Sequence, residues 1–255
     1  MKILKTTSLY VFALLLVAAC TSNEKKDEAK VSEEEEVTVS EGNELTISNE
    51  EASMEFVGTK PTGRHYGNIA LADGTIKVKD GEVTGGKLVF DINKITITDL
   101  QDDEESHGKL VGHLQSDDFF DAANHPTATF EIVSVKSIQP KDDVATSYNS
   151  YSNDMQQPEE GERIMELEDF ELEGATHEIK GNLTMRGKTL AITVPARIDV
   201  TEDSVKAFTN FSIDRTDWGL MYGDEAKAVD KAQDKFIYNT VGVGFDLKAA
   251  NEQTM

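Results

Sequence analysis

The chain of 255 residues has a single cysteine, a single tryptophan and only five prolines. One thiol closes no disulfide and cannot supply the paired cysteines of a structural zinc site. Basic residues are also scarce: 25 Lys and Arg stand against 48 Asp and Glu, a formal charge of −23 at pH 7. Such a surface repels phosphate backbones and anionic head groups. Nucleic acid is therefore excluded as a partner, and so is membrane binding by charge attraction. No apolar run reaches the roughly 20 residues that cross a bilayer as a helix. A phosphate-cradling Gly-rich loop, a Gly-x-Ser-x-Gly elbow and zinc-spaced Cys/His sets are all missing. His107, His113 and His125 lie near the acids of residues 99–105 without ligand spacing, so neither a metal site nor a catalytic centre is expected.

What is present begins at the N-terminus. Lys2 and Lys5 precede the apolar run from Leu9 to Ala19, and no acid occurs before Glu24. This is the charged start and short apolar stretch of a secretory signal. The run ends in Val17-Ala18-Ala19-Cys20, small residues directly before the only thiol. That ending resembles the lipobox of bacterial lipoproteins, which implies acylation of Cys20 and cleavage just before it. Residues 20–43 are polar and acidic, with four consecutive glutamates from Glu33 to Glu36. Their apolar content is too low to offset the entropy of ordering, so they read as a flexible tether. The expected organisation is a signal peptide over 1–19, a tether over 20–43 and one domain over 44–255. The expected location is the cell envelope. There the chain is lipid-anchored to the outer membrane, on its periplasmic or its exterior side.

Within the domain, apolar residues recur at every second position. Leu190, Ile192, Val194, Ala196, Ile198 and Val200 form one such series, and Val205, Ala207, Thr209, Phe211 and Ile213 another. Val241, Val243, Phe245 and Leu247 form a third. Period two means half-buried antiparallel strands. Pro195 lacks an N–H, so its strand is expected at an edge or bulged there. Asp80-Gly81 and Gly187-Lys188 read as tight hairpin turns. Leu88, Phe90 and Ile92 alternate, but the phase slips to Ile95 and Ile97; a bulge near Asn93-Lys94 keeps every apolar side chain on one face. Met54 and Phe56, Ile69 and Leu71, and Ala128, Phe130 and Ile132 add further strands; Arg163–Leu172 is ambiguous.

Asp103–Gln115 has room for a short helix interrupted by Gly108 and Gly112, and Asp224–Gln233 is a second helix candidate. Residues 139–161 form a polar insertion, either disordered or a lid carrying Tyr148 and Tyr151. Eight to ten strands at this spacing imply an all-β sandwich or closed barrel with one or two short helices. A barrel of about eight strands is either filled by side chains or holds one small ligand.

Three segments carry a resemblance. GHLQSDDFFDAANHPTATFEI (112–132), GNLTMRGKTLAITVPARI (181–198) and FSIDRTDWGLMYG (211–223) resemble, in order and spacing, the signatures of the YceI-like family. The resemblance covers about residues 45–248 and implies an extended, antiparallel, lipocalin-like β-barrel with an elongated apolar pocket. It also implies a bound isoprenoid or other long-chain lipid, and no enzymatic activity. The first motif carries over to His113, Leu114, Phe119, Phe120, Pro126 and Phe130. The second carries over to Leu183, Thr184 and Arg186, with Met185 on the face of Leu183. The third carries over to Asp214, Arg215, Trp218 and Gly219, with Tyr222 beside them.

The ligand-contact candidates are thus His113, Leu114, Phe119, Phe120, Phe130, Leu183, Met185, Asp214, Arg215, Trp218 and Tyr222. For Trp218 a structural role as a barrel plug is an equal expectation. The sequence departs from the family in EESHGKLVGHL, where an Arg-Asp pair is common, and in EFVGTKPTGRHYGNI (55–69). The expected function is a tethered carrier or sequestering protein for a lipid, with room for a homodimer. The alternative is a non-catalytic interaction lipoprotein whose barrel is filled by side chains.

Overall fold

The computed structural model describes residues 28–49, 52–138, 172, 174–201, 203–227 and 236–251. Cys20, the signal segment and the insertion at 139–161 lie outside the described residues, as does the ambiguous strand apart from Leu172. The elements are β1 (Lys30–Glu33), β2 (Asn43–Ile47), β3 (Ser53–Lys60), β4 (Gly63–Lys79), β5 (Glu82–Ile97), α1 (Glu104–Gln115), β6 (Thr127–Ser137), β7 (His177–Met185), β8 (Lys188–Val200), β9 (Ser204–Asp214) and β10 (Thr240–Ala250).

These close into an antiparallel barrel of eight staves; of the two architectures left open by the alternation, this is the one that the resemblance implies. Strands β4 to β10 supply consecutive staves, each hydrogen-bonded to the next where both flanks are described. The last stave is split. β3 pairs β4 over Gly63–Ala70 and β10 over Val241–Asp246, while β2 pairs β4 over Thr75–Val78 and β10 at Ala249–Ala250. The phase slip in β5 is real. Ile69 faces Ile95 and Leu71 faces Phe90, so residues 91–94 on β5 stand against Ala70 alone on β4. Leu88, Phe90, Ile92, Ile95 and Ile97 all stay buried as a result.

Both hairpin turns place two residues at positive φ, Asp80 (54°) with Gly81 (80°) and Arg186 (47°) with Gly187 (72°). Such turns match the twist of the strands they join. The second sits one residue earlier than expected, because Met185 pairs with Lys188. Helix α1 is continuous through Gly108 and Gly112. The Asp103 side chain caps it by accepting from the Ser106 N–H, and Glu104 and Glu105 occupy its first turn. The second helix candidate shows only a short 3-10 turn, Glu225–Lys227, before its remainder passes outside the described residues.

The tether expectation is corrected in part. Within it, β1 pairs with β8, Ala29 is buried and the Glu35 backbone is bonded to Asn182, while Val39 is exposed. Composition suggested no order because these residues bring no core of their own; the edge of β8 supplies the partner.

On β3, Glu55 is desolvated and sits near Asp246 of β10. Burial first, and that charge second, raise its pKa above the ordinary 4.5. A raised carboxyl pKa means that folding favours the protonated form, so stability falls as pH rises from the unfolded value through the folded one. Glu55→Gln removes this loss. Its melting temperature is expected to exceed the parent's at about pH 7 and to match it at about pH 4. Equal melting temperatures at both pH values would show that the carboxyl is not strained.

Candidate functional site

The barrel interior has two unlike halves. At one end Ile76, Leu88, Ile132, Ile179, Val194, Ile198 and Leu247 meet around a residual space of only about 40 Å³. The other end holds a cavity of about 450 Å³, within the roughly 300–1,000 Å³ of small-molecule sites. Three aromatic rings separate them, since Phe130, Phe211 and Phe245 line both spaces. Phe245 packs against Phe130 at 6.4 Å and against Phe211 at 5.9 Å between ring centroids. Gly181 makes this floor possible, because a Cβ there would lie 2.4 Å from the Phe130 ring.

Above the floor the wall is hydrocarbon: Met54, Ile69, Phe90, Ile97, Ala128, Leu183, Met185, Ile192, Ile213 and Val243. Polar lining groups are few: Thr59, Lys60 and His65 from the β3–β4 hairpin and its flanks, His113 from α1, and Arg215 and Tyr222 after β9. His65 is oriented by Asp99, whose Oδ2 lies 2.7 Å from its Nδ1 and whose Oδ1 accepts the Tyr66 N–H.

The loop after α1 explains the first motif. Phe119 N–H donates to Ser116, Phe120 N–H to Leu114 and Asp121 N–H to Ser116, so the chain curls tightly. Asp121 takes a φ of 52° to complete the curl, and Asn124 donates to both of its carboxylate oxygens. Phe119 and Phe120 thereby turn inward while Asp117 and Asp118 stay exposed. Arg186 donates to the Phe119 carbonyl, which ties this curl to the β7–β8 turn. The Phe119 ring meets the His113 ring edge-on at 5.2 Å, and His113 meets Tyr222 at 4.4 Å. His113 Nε2 also lies 3.5 Å from Asp118.

Arg215 is 3% exposed and holds the mouth together. Its guanidinium donates to the carbonyls of Tyr238, Leu220 and Ile237 and to Asn239 Oδ1. Its Cζ lies 5.8 Å from the Phe119 ring centroid. Burial lowers its pKa, while Asp224, Asp214 and Glu225 act in the opposite sense.

Of the sequence candidates, His113, Leu114, Phe119, Phe120, Phe130, Leu183, Met185, Arg215 and Tyr222 line the cavity. Asp214 and Trp218 do not. Asp214 caps a 3-10 turn (Arg215–Trp218) by accepting from Thr216 N–H and its hydroxyl. Trp218 is 1% exposed and donates from Nε1 to the Leu183 carbonyl at 2.9 Å, the plug role expected as the equal alternative. Sequence reasoning passed over Thr59, Lys60 and His65 because they fall in the stretch that departs from the family. The β10 residues Val241, Val243 and Phe245 were visible as an inward face but carried no motif. Among the described residues no three His, Cys, Asp or Glu side chains cluster as metal ligands. No described helix is long and apolar enough to cross a membrane.

The YceI-like domain model matches residues 45–249. No curated protein matches the chain. The fold is similar to the crystal structure of Burkholderia cenocepacia BcnA, with 15% identity and a TM-score of 0.54 over 80% of this chain and 99% of that one. It is also similar to a polyisoprenoid binding domain from Saccharophagus degradans implicated in plant cell wall breakdown. There the identity is 16% and the TM-score 0.52, over 81% of this chain and 98% of that one.

Proposed function

From the premise that this chain belongs to the YceI-like family, we propose that it is a lipid-binding protein, tethered to a membrane through Cys20. It holds a long apolar lipid of the isoprenoid quinone or polyprenyl type and carries or sequesters it. The observation that supports this most is the division of the cavity: an aromatic floor and aliphatic wall inside, with cationic and hydroxyl groups near the mouth. A hydrocarbon gains about 25 cal/mol for each Å² it buries against such a wall. Head-group recognition then falls to Lys60, His65, His113 and Tyr222, with the Arg215 guanidinium committed to backbone carbonyls beside them, so an amphiphile enters tail first. The relative named for polyisoprenoid binding supports the same ligand class.

Native mass spectrometry of residues 21–255, purified from a lipid-containing host, tests the ligand. A co-purifying mass matching a quinone or polyprenyl lipid is expected. An apo mass that stays apo after incubation with those lipids would overturn the reading and favour an interaction lipoprotein that binds through its outer surface. The intact mass of the full chain extracted from membranes tests the anchor. It is expected to show acyl groups on Cys20 and loss of residues 1–19.

A further inference from the structure

The barrel wall has a seam between β8 and β9. β8 and β9 pair only where Arg197–Val200 meets Val205–Phe208. Beyond that, one side-chain bond, from the Thr209 hydroxyl to the Pro195 carbonyl, still joins them; β8 then continues back to Lys188 in ladder with β7 alone among barrel staves, and β9 continues to Asp214 in ladder with β10. The two strands therefore part toward the mouth, beside the cavity residues Ile192, Phe211 and Ile213. Pro195 sits where they part, in β8 just before the β9 ladder begins at Arg197, which is why its missing N–H is tolerated.

The gap is filled from the N-terminus. Lys30–Glu33 pair antiparallel with Thr193–Leu190, the Ala29 N–H donates to the Ser212 carbonyl at 2.9 Å, and Glu28 bridges Ser212 in parallel. β1 is thus an extra stave wedged between β8 and β9 in the mouth half only. It is held unevenly. Downstream, the buried Asn182 amide clamps the Glu35 backbone both ways, at 3.0 and 2.7 Å, and Lys180 pairs with the Glu35 carboxylate at 2.5 Å. Upstream, no side chain clamps the wedge: it rests on the short ladder, whose four residues are all solvent-exposed, and on the Ala29 backbone bond with the small buried Ala29 methyl. Beyond the end of β9, the buried Trp218 donates to the Leu183 carbonyl of β7.

Resting on the lipid-binding and anchoring readings above, we propose that the β8–β9 seam is the lateral passage between cavity and bilayer, with β1 as its removable stave. Glu28 follows Cys20 by eight residues, a reach of at most about 28 Å even when fully extended. The anchor therefore keeps this seam close to the membrane, and tension on the anchor peels β1 toward its fixed point at Asn182. An apolar chain leaving the bilayer sideways avoids the polar mouth.

A disulfide across the seam tests the passage. Ser32 lies opposite Ala191, and directly opposed antiparallel residues have Cα atoms about 4.5–5.5 Å apart, within disulfide range. Cys20 is the only native cysteine, so the soluble chain from residue 21 carries no competing thiol. The probe is dansyl-labelled geranylgeraniol, transferred from phosphatidylcholine vesicles to Ser32→Cys/Ala191→Cys protein. Oxidation is expected to slow transfer at least about tenfold relative to the reduced protein, the change that ~1.4 kcal/mol of added seam stability brings. The same lock at the paired end, Asp199→Cys/Lys206→Cys, is expected to leave the rate unchanged. The double change Val31→Pro/Ser32→Pro must remove one ladder N–H, since successive N–H groups alternate sides, and is expected to speed transfer.

Equal rates for locked and reduced protein, with no acceleration by the proline pair, would overturn the passage while leaving the cavity reading intact. Failure of the unmodified soluble chain to take the probe from detergent solution would overturn the cavity reading itself, and the passage with it.

Discussion

Arg215→Met is expected to lower the stability of the barrel by roughly 3–5 kcal/mol, the cost of leaving several buried acceptors without their donor. The side chain fits in volume, but three backbone carbonyls, those of Leu220, Ile237 and Tyr238, lose their donor. Each buried acceptor left unpaired costs about 1–3 kcal/mol. Asn239 still has Asp224 and the Glu225 N–H as partners, so the loss centres on the carbonyls. For a domain of this size about 2–4 °C of melting temperature go with each kcal/mol, so a fall near 10 °C is expected in thermal unfolding followed by circular dichroism. Arg215→Lys is expected to recover less than half of it, because an ammonium lacks the planar fork that reaches three carbonyls at once. A melting temperature within about 2 °C of the parent for Arg215→Met would mean that water replaces the guanidinium at no cost. The arginine would then have to be explained by the ligand instead.

That a motif arginine binds backbone more than it faces ligand shows where sequence reading succeeds and where it stops. Alternation at Leu190–Val200 and Val205–Ile213 is a local property of the chain; such alternation located strands and inward faces, and its slip in β5 located a bulge near Asn93-Lys94, without any partner being known. The stretch Asp103–Gln115 is legible as a short helix for the same reason, although the interruption expected at Gly108 and Gly112 does not occur. Which strands become neighbours is not local, and β1 is the clearest case. Lys30–Glu33 carry no alternation and no buried side chain, and they are ordered because β8 has an unpaired edge beside Ile192. The cavity is non-local in the same way. Thr59, Lys60 and His65 meet His113 and Tyr222 around one space only after the barrel closes. Trp218 illustrates the converse: a lone aromatic in a motif suggests contact with ligand, yet its indole N–H is engaged by a strand carbonyl and its ring is covered by the core.

Met185→Asp is expected to weaken lipid binding about 100-fold at neutral pH, close to 2.7 kcal/mol, while the chain stays folded. Met185 is the last residue of β7, lines the cavity and is 9% exposed. Its replacement therefore sits at the hollow half of the barrel and not in the packed half below Phe130 and Phe245. Without lipid, water reaches the carboxylate through the mouth and the fold tolerates it. With lipid, the same carboxylate must be buried against hydrocarbon, and the cost falls on binding. A desolvated carboxyl has a raised pKa, so the lipid complex binds a proton more readily than the free protein. Binding is then expected to recover as pH falls toward about 5, a gain that the linkage between protonation and burial requires. Met185→Leu keeps shape and polarity close to the original and is expected to bind like the parent at every pH. Lipid retention by Met185→Asp at the parent's level, measured by fluorescence titration at about pH 7 and pH 5, would place the hydrocarbon elsewhere. The mouth, with its His113 and Tyr222 rings, would then be the next surface to probe.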